Sequence, residues 1–374
     1  MGEPVVASQG NREVGVGIIG AGKMGREHAS NLARGIPNAK LVAVADVVEG
    51  SAKKLGAEFG VTNIFTDYLR LVENREVQAI VIATPAILKP QIVRASCEVG
   101  KHIFCEKPIA TTFHDAEEAL KWTQKSPAKF QIGYQRRFDP LHVKIKERVD
   151  SGEIGSVVLV KSSTREPLPN PTQWPDLKNS GGIFFDTCSD DYDLVRWLCG
   201  SEVSRVEAEG SPRSQPDQHT AITNLSMANG VVAQLEASRM TSYGYDVRVE
   251  VLCTKGVVFT KPDSASGLRV VKGSQEAIAT YSSYLDRFKD AYRLEMESFI
   301  DSVVKDADTK ATAHDGKAAV EIAAAAKKSM QEGKAVNLPL LAAASLSLSR
   351  EIPRARPASS RLPSGSPTSP CARS

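Results

Sequence analysis

The 374-residue sequence predicts two domains of different class: an α/β domain on a parallel sheet, then an α+β domain with a largely antiparallel open sheet. Three observations carry this. Apolar strand-like runs alternate with amphipathic helical runs from Val14 to Gly133, the pattern of a parallel sheet covered on both faces. The first run ends in Gly20-Ala21-Gly22-Lys23-Met24-Gly25, a G-x-G-x-x-G that leads into a helix. Beyond Asp139 the pattern changes to short strands joined by tight turns, with two helices near the end.

In the first domain, strands are expected at 14–19, 41–46, 78–83, 101–105 and 129–133, with helices at 24–34, 50–59, 89–99 and 114–125. Gly20 permits the tight turn, Gly22 lets backbone approach a pyrophosphate, and Gly25 lets the helix pack closely on the strand. The helix N-terminus, with Lys23 and Met24, then offers free N–H groups and a positive dipole end. The second strand ends in Asp46, 24 residues after Gly22. A carboxylate there accepts hydrogen bonds from both hydroxyls of an adenosine ribose. Strand, glycines, helix, strand and acid in this order form a dinucleotide fingerprint, which makes residues 14–134 a Rossmann-type domain. Val47 and Val48 supply no arginine for a 2′-phosphate, so NAD is expected over NADP. Gly20, Asp46, Thr84-Pro85 and Glu106 each follow a strand end, so four motifs converge on the rim where such sheets bind ligands.

In the second domain, residues 135–338, a strand is expected at 157–163 and a helix at 186–198. Strands at 221–227, 231–238, 247–252 and 257–260 follow, with hairpin turns at Ala228-Asn229-Gly230 and Thr254-Lys255-Gly256. Helices are expected at 284–305 and 315–332, covering one face of the sheet and leaving the other free to pair with a second copy. Residues 1–13 read as a short disordered lead without the regions of a secretory signal. Residues 339–374, rich in Ser, Pro, Ala and Arg, have the composition of a disordered tail.

The formal charge of +3 comes from that tail, which holds five arginines and one glutamate; the remainder carries −1. No basic face argues for nucleic acid. No apolar run approaches the length of a membrane span. The six cysteines show no C-x-x-C spacing, and Cys97, Cys105 and Cys253 lie in apolar runs. Reduced core thiols and a cytoplasmic location are the expectation.

If the dinucleotide takes hydride from an alcohol, the reaction requires a base for the hydroxyl proton and a positive group near the oxygen. Lys107 is the candidate for the second role, at a strand's carboxyl end with its direction set by Pro108. Asp186 and Asp190 are i and i+4 on the expected helix and share a face, with Asp193 near the same stripe and Asp191 pointing away. Clustered carboxylates repel unless a cation balances them. Lys107 is the natural cation; a metal is the competing explanation, but no further ligand set is evident and none is expected. His28, His102 and His114 read as structural, and Arg136 and Arg137 as either ion-pair partners or polyol contacts.

The fingerprint is followed in order by Glu106-Lys107-Pro108, Gly133-Tyr134-Gln135-Arg136-Arg137-Phe138-Asp139, Gly181-Gly182-Ile183-Phe184-Phe185-Asp186 and Asp191-Tyr192-Asp193-Leu194-Val195-Arg196-Trp197. Together these resemble the Gfo/Idh/MocA oxidoreductases, and within them the myo-inositol 2-dehydrogenase-like branch, from about Val14 to Leu338. The resemblance implies NAD as cofactor, hydride transfer at a cyclitol or sugar hydroxyl, and a homodimer or homotetramer. It implies that Lys107 lies near the reacting hydroxyl, hydrogen-bonded to an aspartate, and that Glu106 contacts the nicotinamide side. It implies a polyol site lined by Gln135, Thr187, Asp193, Tyr243 and Tyr245.

One departure stands out. Inositol dehydrogenase-like members carry D-x-x-x-H-D at the 186–191 helix, with the histidine as base, whereas this chain has Asp190 in that place. An unperturbed aspartate titrates near ~3.9 against ~6.5 for histidine, a poorer match to neutral pH. Burial and neighbouring carboxylates raise such a value and recover part of the loss. Two readings therefore stay open: an NAD-dependent dehydrogenase, or a catalytically weak dinucleotide- or sugar-binding regulatory protein.

Overall fold

Val14, Val16, Ile18 and Ile19 sit in a strand with both faces buried, as the centre of a parallel sheet requires. The computed structural model describes residues 13–167, 177–212, 217–260, 269–272, 275–278 and 280–340. The expected lead and tail lie outside these, apart from Glu13, Pro339 and Leu340.

The first half runs β1 (Val14–Ile19), α1 (Lys23–Ala33), β2 (Ala39–Ala45), α2 (Glu49–Phe59), β3 (Asn63–Phe65), α3 (Tyr68–Val72), β4 (Ala79–Ile82), α4 (Lys89–Glu98), β5 (His102–Glu106), α5 (Phe113–Lys125) and β6 (Phe130–Gly133). Its six strands pair in the order β3-β2-β1-β4-β5-β6, all parallel. The order reverses beside β1, which opens a ligand crevice at the strand ends. The short β3 and α3 were not anticipated: three half-buried residues and a single helical turn leave little periodicity to read.

The second half runs α6 (Pro140–Asp150), β7 (Val157–Pro167), α7 (Leu177–Ser180), α8 (Ser189–Cys199), β8 (Val203–Ser211), β9 (Thr220–Met227), β10 (Val232–Thr241), β11 (Asp246–Cys253), β12 (Gly256–Phe259), the hairpin β13 (Arg269–Lys272) and β14 (Gln275–Ile278), α9 (Tyr284–Arg287), α10 (Lys289–Val304), α11 (Ala313–Glu332) and β15 (Val336–Asn337). Seven strands form one sheet in the order β12-β11-β7-β10-β9-β8-β15. Every pairing in it is antiparallel except β10 with β7. The inner face, including Val206, Leu225, Leu235 and Val251, shares one buried cluster with the alanines of α11. The outer face leaves Ile222, Val232, Leu252, Val257 and Phe259 exposed.

Three departures from the expected boundaries bear on the site. β7 runs to Pro167 rather than stopping at Ser163. Its inward Ser162 and Thr164 are polar because they donate hydrogen bonds to the buried Asp191, and this hides the apolar alternation. The expected 284–305 helix is two helices separated at Phe288. The expected 186–198 helix begins at Ser189, so Asp186 lies in the preceding turn. Gly181 and Gly182 there have φ of 83° and 91°, and the Asp186 amide donates back to the Gly182 carbonyl.

The N-terminal sheet is not covered by its own helices alone. Met296, Phe299 and Ile300 of α10 pack in one buried cluster with Val16, Ile18, Val81 and Phe104. Cys97, Cys105, Cys188, Cys199 and Cys253 are free thiols. Among the described residues no helix is long and apolar enough to cross a membrane.

Candidate active site

The glycine loop is shaped by close approach. Gly20 has φ +101°, and a Cβ there would lie 2.6 Å from the Ala83 carbonyl oxygen. A Cβ on Gly25 would lie 1.8 Å from the Gly20 carbonyl oxygen, so only glycine lets α1 start this close to β1. Gly22 faces open space and caps α1 without a side-chain hydrogen bond. The first-turn N–H groups of α1 are thus available to an anion. Asp46 ties the loop down: Oδ2 accepts from the Ala21 amide at 2.7 Å and Oδ1 from the Val48 amide at 2.8 Å. Each oxygen keeps a further lone pair for a ribose hydroxyl.

At the end of β5, Lys107 reaches across to the second half of the chain. Its Nζ donates to the Asp186 carbonyl at 2.9 Å and lies 3.3 Å from Asp190 Oδ2 and 3.6 Å from Asp186 Oδ1. The late start of α8 makes this possible, since the Asp186 carbonyl is left to accept from Lys107 and the Ser189 hydroxyl. Burial opposes the Lys107 charge, but Asp190, Asp186 and Glu166 outweigh it and raise the ammonium's pKa. Burial likewise opposes ionisation of Asp186, yet Lys107, Arg239 and Lys89 hold its carboxyl below the usual range. Asp190 is 6% exposed, and its Oδ1 has no hydrogen-bond partner. Burial pushes its carboxyl above the usual range against the pull of Lys107 and Arg136.

These groups line one cleft of about 810 Å³, a size suited to a small ligand. Lys23, Met24, Thr84, Glu106, Lys107, Gln135, Asp186, Asp190 and Tyr245 all border it. One cavity therefore joins the glycine loop to the Lys107 cluster.

Two family profiles cover most of the chain. The first, described as oxidoreductase family, NAD-binding Rossmann fold, matches residues 14–134. The second, oxidoreductase family, C-terminal alpha/beta domain, matches residues 146–338. The chain belongs to the Gfo/Idh/MocA oxidoreductase family. Among its relatives, the myo-inositol 2-dehydrogenase of Thermotoga maritima is 33% identical over 86% of this chain and 98% of its own length. The scyllo-inositol 2-dehydrogenase (NAD(+)) of Bacillus subtilis is 31% identical over 87% of this chain and 96% of its own. The crystal structure of scyllo-inositol dehydrogenase from Lactobacillus casei, with bound NAD(H) and scyllo-inositol, superposes with a TM-score of 0.82 at 29% identity, covering 87% of this chain and 99% of that one.

As a Gfo/Idh/MocA oxidoreductase, the protein uses NAD, and its N-terminal residues fit the cofactor. The uncapped start of α1 suits the pyrophosphate, and the Asp46 carboxylate suits the adenosine ribose. Val47, 82% exposed, and Val48 beside it bring no positive charge to that edge.

Several residues expected at the site do not border the cleft. Thr187 is buried, and its Oγ1 accepts from Arg239 Nε at 2.9 Å. Asp193 faces away, held by Arg137 at 2.6 Å, while Asp315 bridges Arg137 and Arg196 at 2.9 and 3.1 Å. Arg136 pairs with Asp191 at 2.6 Å, so both arginines stand in buried ion pairs. Tyr243 is 44% exposed and bonds Asp246 and Arg165. Pro85 opens a short 3₁₀ turn before α4, outside the cleft lining.

Other cleft residues escaped the sequence reading. Glu166 arrives with the unexpected extension of β7; burial and the nearby Asp186 raise its carboxyl. Tyr284 and Tyr292 close the far wall, with Lys23 Nζ 4.5 Å from the Tyr284 ring centroid. Arg239, fully buried, holds Asp186 Oδ2 at 3.1 Å and Asp217 Oδ2 at 2.9 Å. Behind Glu106 lies a second cluster: His28 Nε2 is 2.6 Å from Glu106 Oε1, and the ligand atoms of these two and Glu295 fall within 4.8 Å of one another. Neither Glu295 oxygen has a hydrogen-bond partner, and burial, then Glu106, raise its carboxyl well above the usual range. His28, following the glycine loop, and Glu106, at a strand end, were visible in the sequence; nothing there pointed to Glu295.

Proposed function

We propose that this chain is an NAD-dependent dehydrogenase of a cyclitol, myo-inositol-like, or of a related sugar, removing hydride from a ring CH–OH. What supports the reading is the joining of the glycine loop to the Lys107–Asp186–Asp190 cluster in one cleft, together with near full-length similarity to inositol dehydrogenases. The bound nicotinamide supplies the hydride acceptor. Lys107 places its ammonium at the substrate oxygen, where negative charge develops as the proton leaves. Asp190, which borders the cleft with its Oδ2 3.3 Å from Lys107 Nζ, accepts that proton, and Asp186, fixed by Arg239, holds Lys107 in place. Gln135, Glu166 and Tyr245 offer acceptors and donors to the remaining hydroxyls.

Asp190 also favours a second reading, a catalytically weak dinucleotide- or sugar-binding regulatory protein. Its raised carboxyl supports the enzyme instead, since the base then sits nearer neutral pH. Turnover of a polyol panel with NAD, followed by NADH absorbance, separates the two. Oxidation of an inositol supports the dehydrogenase; tight NAD binding with no turnover of any polyol or sugar supports the regulatory protein.

We also infer a homodimer or homotetramer built on the outer face of the seven-stranded sheet. Ile222, Val232, Leu252, Val257 and Phe259 are exposed there, an apolar face that a second copy would cover. The free cysteines support a reducing, cytoplasmic location.

A further inference from the structure

Lys89 is the first residue of α4, yet its side chain turns inward and the residue is 3% exposed. Its Nζ donates to three consecutive carbonyls: Glu106 at 2.8 Å, Lys107 at 2.9 Å and Pro108 at 3.1 Å. An ammonium has three donors, so none remains for a substrate. No ion pair to Lys89 is present among the described residues, although lysine is almost never buried without a carboxylate partner. Sheet and helix packing do not require so expensive a group.

The position of those carbonyls gives the arrangement a purpose. They belong to the end of β5, which carries Glu106 and Lys107 into the cleft, and Lys89 itself borders that cleft. Lys89 also lies just past Thr84-Pro85 at the end of β4, so it ties two neighbouring strand ends together. We propose that Lys89 is a positioning residue for hydride transfer: its tether to the carbonyls of residues 106–108 fixes the reach of Lys107 toward Asp190 and the substrate oxygen. The inference rests on the dehydrogenase reading. A displacement of ~1 Å in such a group costs about a hundredfold in rate.

The test uses Lys89→Met, which keeps the length and removes every donor, Lys89→Arg, which restores donors and charge, and Lys89→Gln should the methionine variant not fold. In Lys89→Met, kcat falls by about tenfold or more, while KM for the polyol and the NAD dissociation constant stay within about threefold. Lys89→Arg recovers most of kcat. Hydrogen exchange of the 103–110 peptide, read without any substrate, speeds up in Lys89→Met while β1 and β2 stay protected. An unchanged kcat, or a kcat that falls only with the folded fraction and NAD affinity, overturns the proposal. So does an unchanged exchange rate at 103–110. A wild type that oxidises no polyol defeats the dehydrogenase reading instead, and the exchange experiment still decides whether the tether exists.

Discussion

The Lys107 ammonium lies closer to the backbone carbonyl of Asp186, at 2.9 Å, than to its carboxylate, at 3.6 Å. Asp186→Asn therefore keeps the anchoring hydrogen bond while removing one of the charges that sustain Lys107. NAD binding by calorimetry should not change, and kcat should fall less than in Lys107→Met. The latter deletes the positive group itself and should lose about 10²–10³-fold or more.

Asp190 must be ionised to act as a base. Its carboxyl is raised by burial, so activity is retained above that raised value and lost as pH falls through it. The acid limb of kcat/KM should thus lie above the ~3.9 of an ordinary aspartate. Asp190→Asn should lose about 10²–10⁴-fold, and Asp190→His should raise activity near neutral pH. A limb at the ordinary value, with Asp190→His unchanged, would place the base elsewhere.

Asp46 accepts from the Ala21 and Val48 amides, which leaves each oxygen a lone pair for a ribose hydroxyl. NAD should bind at least about tenfold more tightly than NADP, ~1.4 kcal/mol. Asp46→Ala should narrow that ratio and also weaken NAD itself, because the glycine loop loses its tie.

Glu295 is fully buried with both oxygens unpartnered, and its carboxyl is raised well above the usual range. The folded chain therefore holds this proton more tightly than the unfolded chain. That stability is complete below the unfolded value and is lost as pH rises toward the folded one, at ~1.4 kcal/mol per pH unit. Glu295→Gln carries no such loss. Its Tm advantage over wild type should be small below the ordinary carboxylate range and grow as pH rises above it. A Tm difference independent of pH would contradict this.

Phe259 and its exposed apolar neighbours offer a direct check on assembly. Phe259→Glu should shift the sedimentation profile toward smaller species while NAD binding persists. A wild-type monomer in solution would remove the interface.

The N-terminal half was legible because its signals are local. The glycine loop, Asp46 and Glu106-Lys107-Pro108 each follow an apolar run directly, so parallel-sheet geometry alone brings them to one rim. The other wall was harder to read. Whether Asp193 or Asp190 faces Lys107 depends on α8 starting at Ser189 and on Arg137 drawing Asp193 away. Polar Ser162 and Thr164 concealed the length of β7 and hence Glu166. Lys89, Arg239 and Glu295 look like ordinary surface residues in sequence. Their roles arise from partners such as Glu106 and Asp186, which only the folded chain brings near.

The packing of α10 on the first sheet bears on how this architecture arose and how it is taken apart. Met296, Phe299 and Ile300 complete the layer over Val16, Ile18 and Phe104. A fragment ending after β6 would keep the α1 and α2 residues of that cluster but uncover the part around Phe104 that Phe299 covers. The nucleotide-binding half thus takes part of its core from a helix of the other half. That helix lies nearly 300 residues along the chain, so the last part of this core is synthesised long after the sheet it covers.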